Sequence, residues 1–163
     1  MGWFDFLKKK KKSNLVVIDA ATTINNSILR YELTQAFPGI SHSDPNLGDA
    51  YYHRPTADEL WEFVQEVKID HLIHSHFTGG ETADAFDCNA YALYYHAKCR
   101  EKMRLNQHPW AFGELWMETS KLENHGYNLC LTRNEGFYLV WPQTKIIEKL
   151  RQDVSNKVFF LYF

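Results

Sequence analysis

No run of apolar residues in this 163-residue chain approaches the roughly 18–20 needed to cross a bilayer, so no membrane-spanning helix is expected. The lysine run at Lys8–Lys12 follows the first apolar residues and no hydrophobic region comes after it, so a secretory leader is not expected either. Cysteine is scarce. Cys88, Cys99 and Cys130 make an odd number without the spacing of a disulfide framework, which points to free thiols in a reducing, cytoplasmic setting. Beyond residue 12 the chain is mildly acidic within a net charge of −2, and the lack of a basic face argues against nucleic-acid binding by the folded body. There is no glycine-rich phosphate loop, no G-x-S-x-G elbow, no paired-cysteine zinc module and no internal repeat.

What the chain does have is ring-bearing side chains: 11 Phe, 9 Tyr and 5 Trp, enough for a core built on large aromatics. With 45% hydrophobic and 23% charged residues it reads as one globular domain over 13–163, preceded by a distinct segment at 1–12. In that segment Trp3, Phe4, Phe6 and Leu7 stand directly before five lysines. Three readings stay open: an interfacial membrane anchor, a peptide docking on an assembly or nucleic-acid surface, or a solvated, frayed terminus. Gly2 is not a myristoylation site, because Phe6 occupies the position that calls for Ser or Thr.

Local patterns predict the elements. Leu15–Asp19 reads as a strand, and 20–36 as a helix stopped by Pro38, with Ile24, Ile28 and Leu29 as core contacts. The stretch 37–53 reads as a long loop. Thr56 and Glu59 form a capping box opening a helix with Leu60, Phe63, Val64 and Val67 on one face. After a second loop at 77–87, Asp87 caps a helix from Cys88 to about Arg104 whose first turns are apolar on nearly every side, as in a helix that runs through a core. Strands follow at about 109–117, 124–132, 136–141 and 158–163, with Arg133–Gly136 as a hairpin turn. Helices followed by antiparallel strands give an α+β fold, a central buried helix carrying Cys88 packed on an antiparallel sheet.

One constellation has chemical potential. A cysteine at a helix N-terminus meets free N–H groups and the positive dipole end, which favour the thiolate and could hold an oxyanion. A nucleophilic cysteine also needs an oriented imidazole, and His125 opens a strand about 37 residues on. Counting back from the hairpin turn places 125–128 opposite 141–144, so an orienting group is expected from Trp141, Gln143 or Thr144.

Phe86-Asp87-Cys88-Asn89-Ala90-Tyr91-Ala92 resembles the nucleophile motif of papain-like and transglutaminase-like cysteine hydrolases. Asn124-His125-Gly126-Tyr127-Asn128-Leu129 is similar to their histidine strand, and Gly136–Thr144 to a following strand ending in Glu-Pro-Gln-Thr. The set is similar to the C-terminal protease domain of a mushroom agglutinin and to small phage and bacterial proteins, over residues 51–147. The resemblance implies a papain-like fold, with acyl transfer on an unknown peptide or protein substrate. Cys88 would be the nucleophile, His125 the general base, and Asn128 and Gln143 supporting catalytic-site groups. It also implies that the cytoplasm is a host cell's, or the setting a virion, if the protein is phage-encoded. Two positions depart from the family. Trp141 stands where the family has Glu, and its indole N–H cannot accept a proton from imidazole. Asn89-Ala90 replaces a common acidic pair, which leaves fewer carboxylates for the metal of the calcium-activated relatives; no cofactor or metal ligand is assigned. The alternative is an inactive papain-like protein serving viral or phage assembly, tethered through residues 1–12.

His71, His74 and His76 invite a metal reading, but on a strand His71 points away from the other two and no acidic or thiol ligand completes the set. They read as surface or loop histidines. His96 and Cys99 read as helix-face residues, with Cys99 on the stripe Tyr91–Tyr95–Cys99–Met103, and Cys130 as a small core hydrophobe.

Overall fold

The computed structural model describes residues 22–38, 45–69, 87–104, 108–118, 124–151 and 158–163. Helix α1 (Asn26–Ala36) follows the short strand β1 (Thr23–Asn25), which pairs antiparallel with β2 (Tyr51–His53). Helices α2 (Ala57–Glu66) and α3 (Cys88–Met103) come next. Strands β3 (Phe112–Glu118), β4 (Asn124–Thr132), β5 (Gly136–Trp141), β6 (Ile146–Lys149) and β7 (Val158–Tyr162) form one antiparallel sheet in the order β6-β5-β4-β3-β7. The architecture is α+β.

Both faces of this sheet are covered, and strand alternation shows how. Tyr127, Leu129 and Leu131 of β4 join Leu29, Leu33 and Phe37 from the α1 side in one cluster. Cys130 packs with Leu60, Phe63 and Val64 of α2 and Tyr91, Tyr95 and Cys99 of α3 in another. Successive residues of a strand point to opposite faces, so a strand covered on both sides must be apolar or small at every position. β4 is buried without a break from Gly126 to Thr132.

Several local expectations hold. The Thr56 hydroxyl accepts from Glu59 N–H (3.1 Å) while a Glu59 carboxylate oxygen accepts from Thr56 N–H (2.7 Å), the reciprocal box. Leu60, Phe63 and Val64 are buried. Asp87 caps α3, its carboxylate accepting from Ala90 N–H at 2.9 Å. Thr132 pairs with Gly136, which takes φ 80° to close the hairpin. The stripe Tyr91–Tyr95–Cys99–Met103 is buried, as is Cys130.

Others are corrected. The segment 20–36 is not one helix: Thr23–Asn25 is extended, and the Asn25 side chain caps α1 by accepting from Ile28 N–H at 2.9 Å. Ile28 is therefore turned to solvent, 46% exposed, and Leu33 takes the core position instead. The loop 37–53 contains β2, and β6 adds an edge strand that was not anticipated. Helix α3 lies over the sheet instead of threading a core, since Leu93 is 59% exposed on its open side. The strand at Leu15–Asp19, most of the 77–87 loop, His71, His74, His76 and the segment 1–12 lie outside the described residues.

Thr56→Ala removes one acceptor from the box and half of its reciprocity. Urea denaturation should show a loss of about 1 kcal/mol with an unchanged m-value.

Candidate functional site

Two polar neighbourhoods lie along α3, one at its first turn and one midway. At its first turn, Gly126 of β4 lets the helix end come close. A Cβ on Gly126 would sit 2.6 Å from Asn89 Oδ1, 2.8 Å from Asn89 Cα and 2.9 Å from the Cys88 carbonyl oxygen. The structure thus brings Cys88 to the strand segment that carries His125. The His125 ring lies 6.2 Å from that of Tyr127, and Tyr127 meets Trp141 edge-on at 4.8 Å. Burial pushes the Tyr127 phenol up, with nearby Cys88 and Glu148 adding to the shift. The Cys88 thiol makes a long contact to Asn89 Oδ1 at 3.9 Å.

The remaining two candidates sit elsewhere. Asn128 is fully buried, and its amide donates to the carbonyls of Ala92 (2.9 Å) and Gly113 (3.2 Å), tying α3 to the sheet. Gln143 is exposed on the turn 142–145. The counted register was one residue off: Asn128 faces Val140, and the ladder ends there. Trp141 Nε1 donates to Glu148 Oε1 at 3.0 Å, so the indole engages a carboxylate on β6.

The second neighbourhood lies midway along α3. A cavity of about 350 Å³ is lined by Asp49, Leu93, His96, Arg100, Glu114 and Tyr162, together with two small residues. His96 and Glu114 are both buried, with His96 Nδ1 3.0 Å from Glu114 Oε1. Arg100 Nε donates to His96 Nε2 at 3.3 Å, which makes Nε2 an acceptor. The imidazole in this arrangement is neutral and gives its Nδ1 proton to Glu114. Arg100 Nη1 reaches Asp49 Oδ2 at 2.5 Å.

Four chain segments build that cavity. His96 and Arg100 fall one turn apart on α3, and so share a face. Glu114 and Tyr162 face each other across β3 and β7, and the rings of His96 and Tyr162 are 5.5 Å apart. Asp49 is placed by the segment 46–49, which is sewn to the C-terminal strand: Asn46 N–H donates to Leu161 O, Phe163 N–H to Asn46 O, and Gly48 N–H to Phe163 O. Asp49 N–H also donates to the Tyr52 hydroxyl at 2.9 Å. Sequence reasoning saw His96 but not this set, because Asp49, Glu114 and Tyr162 meet it only through tertiary contacts. The one local signal was the His96–Arg100 spacing.

A larger groove of about 590 Å³ runs between α2 and α3, but its charges answer each other: Lys98 pairs with Glu101 and Lys102 with Glu66. Among the described residues no group of three or more His, Cys, Asp or Glu is arranged to hold a metal ion.

Two tests follow from this geometry. Gly126→Ala forces a methyl against backbone of α3 and should destabilise the fold by about 1–3 kcal/mol in chemical denaturation. Burial pushes the Cys99 thiol up to about 12 and the Cys130 thiol well above its ordinary value, whereas Cys88 is half-buried. Iodoacetamide at pH 8 should therefore label Cys88 in the native protein and reach Cys99 and Cys130 only after unfolding, as read by mass spectrometry.

No family model and no curated protein matches the chain. Among solved structures, it is similar to a Polyporus squamosus lectin bound to a human-type influenza-binding epitope, Neu5Aca2-6Galb1-4GlcNAc, with TM-score 0.64 and 16% identity over 87% of this chain. It is also similar to a structure described as the PSL1a-E64 complex, with TM-score 0.65 and 17% identity over 87% of this chain. The chain spans 50% of the length of each. These matches correct the resemblance to papain-like and transglutaminase-like cysteine hydrolases, along with the thiol-hydrolase activity and the inactive viral or phage assembly protein inferred from it. The short motifs behind that resemblance have packing roles here: Asp87 is a helix cap, Gly126 a close approach, and Asn128 a buried tie. At this level of identity, what the chain shares with half of a lectin chain is its fold.

Proposed function

We propose that this chain is a carbohydrate-binding domain whose saccharide sits in the cavity between α3, β3, β7 and the segment 46–49. The observation that carries the reading is the convergence of a guanidinium, an imidazole, two carboxylates and an aromatic ring on one cavity of about 350 Å³. A sugar presents hydroxyls that both donate and accept, with C–H faces between them. Carboxylates and a guanidinium answer the hydroxyls, and a tyrosine ring answers the C–H face. The lectin fold match supports the same class of ligand.

The network also prepares the site before any ligand arrives. His96 and Glu114 hold each other in the interior, and Arg100 is braced from two sides by His96 and Asp49. Side chains already fixed lose little rotamer freedom on binding, which leaves more of the contact energy as affinity. Burying a carboxylate and an imidazole costs several kcal/mol unless both are paired, and here each meets the other at 3.0 Å.

The test is a titration with a panel of neutral and charged oligosaccharides, followed by isothermal calorimetry and by amide NMR shifts. Binding should perturb residues of α3 and β7. Tyr162→Ala should weaken it about tenfold, or about 1.4 kcal/mol, in protein whose thermal midpoint shows it to be folded. Absence of binding across the panel, or binding indifferent to Tyr162→Ala and to Asp49→Asn alike, rejects the proposal.

A further inference from the structure

One contact in the cavity wall depends on the absence of a proton. Arg100 Nε donates to His96 Nε2 at 3.3 Å, and only an unprotonated ring nitrogen can accept. On the other side of the ring, His96 Nδ1 lies 3.0 Å from Glu114 Oε1, where it donates whether the imidazole is neutral or charged. A second proton on the ring therefore leaves the Glu114 bond in place, now charge-assisted. The same proton abolishes the Arg100 bond and sets two cations against each other. Among the described residues Arg100 is then held by Asp49 alone, at a rim where water screens the pair.

From these contacts we infer that His96 is a proton-operated latch on Arg100: the neutral ring holds the guanidinium in its binding direction, and the protonated ring releases it. The consequence for affinity rests on the carbohydrate reading of the same cavity, whereas the latch itself does not. Of the five N–H groups of a guanidinium, Arg100 uses one on Nε and one on Nη1, which leaves three for a ligand. Nη2 and the Tyr162 hydroxyl both border Gly48, where an added Cβ would lie 3.8 and 4.0 Å from them. Releasing Nε frees those donors to turn and restores rotamer freedom that binding must then remove.

The groups that face the latch come from three further elements. They are Glu114 on β3, Tyr162 on β7 with its ring 5.5 Å from that of His96, and Asp49 on the segment 46–49. The Tyr52 hydroxyl of β2 accepts from the Asp49 N–H, and burial pushes that phenol up, so it stays uncharged at neutral pH. Of these residue types only imidazole ordinarily changes charge between pH 5 and 8.

NMR on the full chain reads the latch without any ligand. At pH 8 the Arg100 side-chain Nε–H should give a slowly exchanging signal. As the pH falls to 5 that signal should broaden or shift, with the same midpoint as the His96 ring carbons. Calorimetry with the neutral oligosaccharides of the panel, whose own charge is constant, should show affinity about tenfold weaker at pH 5 than at pH 8. In His96→Gln the side-chain carbonyl can accept from Arg100 at either pH. The ratio of the two affinities should then fall to about one, in protein whose thermal midpoint shows it to be folded at both pH values. A merely structural role for His96 would weaken binding in this variant without removing its pH dependence. Three results overturn the latch and leave the carbohydrate reading standing: an Arg100 signal unchanged while the His96 ring protonates, a His96 ring that takes up no proton down to pH 5, or a pH ratio that survives His96→Gln. If no oligosaccharide binds at either pH while the Arg100 signal follows His96, the carbohydrate reading falls and the latch stands.

Discussion

The amide of Asn128 is the joint on which the rest of the molecule is aligned. It is fully buried at the middle of β4, and from there it holds the carbonyl of Ala92 on α3 and that of Gly113 on β3. A buried amide gives little net stability when bonded, but leaving its partners unmet costs about 1–3 kcal/mol each, so it acts mainly to exclude other registers. Hydrophobic contact alone would let a helix slide along a sheet. With Ala92 pinned, the first turn of α3 must meet Gly126, and the next turn must carry His96 over Glu114. Two neighbourhoods that share no side chain are thus set by one polar contact.

The charge network beside that joint is hierarchical. Its inner pair, His96 and Glu114, is nearly sealed from solvent, while its outer pair, Arg100 and Asp49, is about one-third exposed. In the interior the low dielectric makes the hydrogen bond strong and its loss costly, whereas at the rim water screens the ion pair. The inner pair fixes where the outer one stands, and the outer one meets whatever enters. A lone exposed Arg–Asp pair would be worth well under 1 kcal/mol and would wander. Anchored through Nε on His96, this one has a defined direction.

Much of the frame was legible because it is written in short-range chemistry. The Thr56–Glu59 box, the Asp87 cap, the Arg133–Gly136 turn and the stripe through Tyr91, Tyr95, Cys99 and Met103 each need only neighbours within a few residues. The failures come where a tertiary or competing contact decides. Asn25 can cap a helix, and it did so in preference to continuing one from residue 20, which rotated Ile28 outward and Leu33 inward. The β4–β5 register slipped by one in the counting because three residues, not two, span the turn before Gly136. β6 is short and carries Glu148 and Lys149, with no apolar alternation strong enough to mark an edge strand. Of the four site residues expected, Cys88 stands on the first turn of α3 against the β4 segment that carries His125, while Asn128 is buried and Gln143 exposed. The cavity residues were opaque: nothing in sequence relates Asp49 to Arg100 until β7 and the segment 46–49 are laid side by side.

That lateral pairing has an implication for how the protein keeps to itself. β7 is an outer strand of the sheet, and an uncovered outer strand offers its free N–H and C=O groups to any other extended chain. Here the segment 46–49 occupies that border, with Asn46 and Gly48 bonded to Leu161 and Phe163. The same four residues deliver Asp49 to the cavity. Loss of the backbone bonds at Asn46 and Gly48 would therefore bare the sheet margin and displace Asp49 from Arg100 together, so exposure to self-association and loss of order around Arg100 become two symptoms of one event.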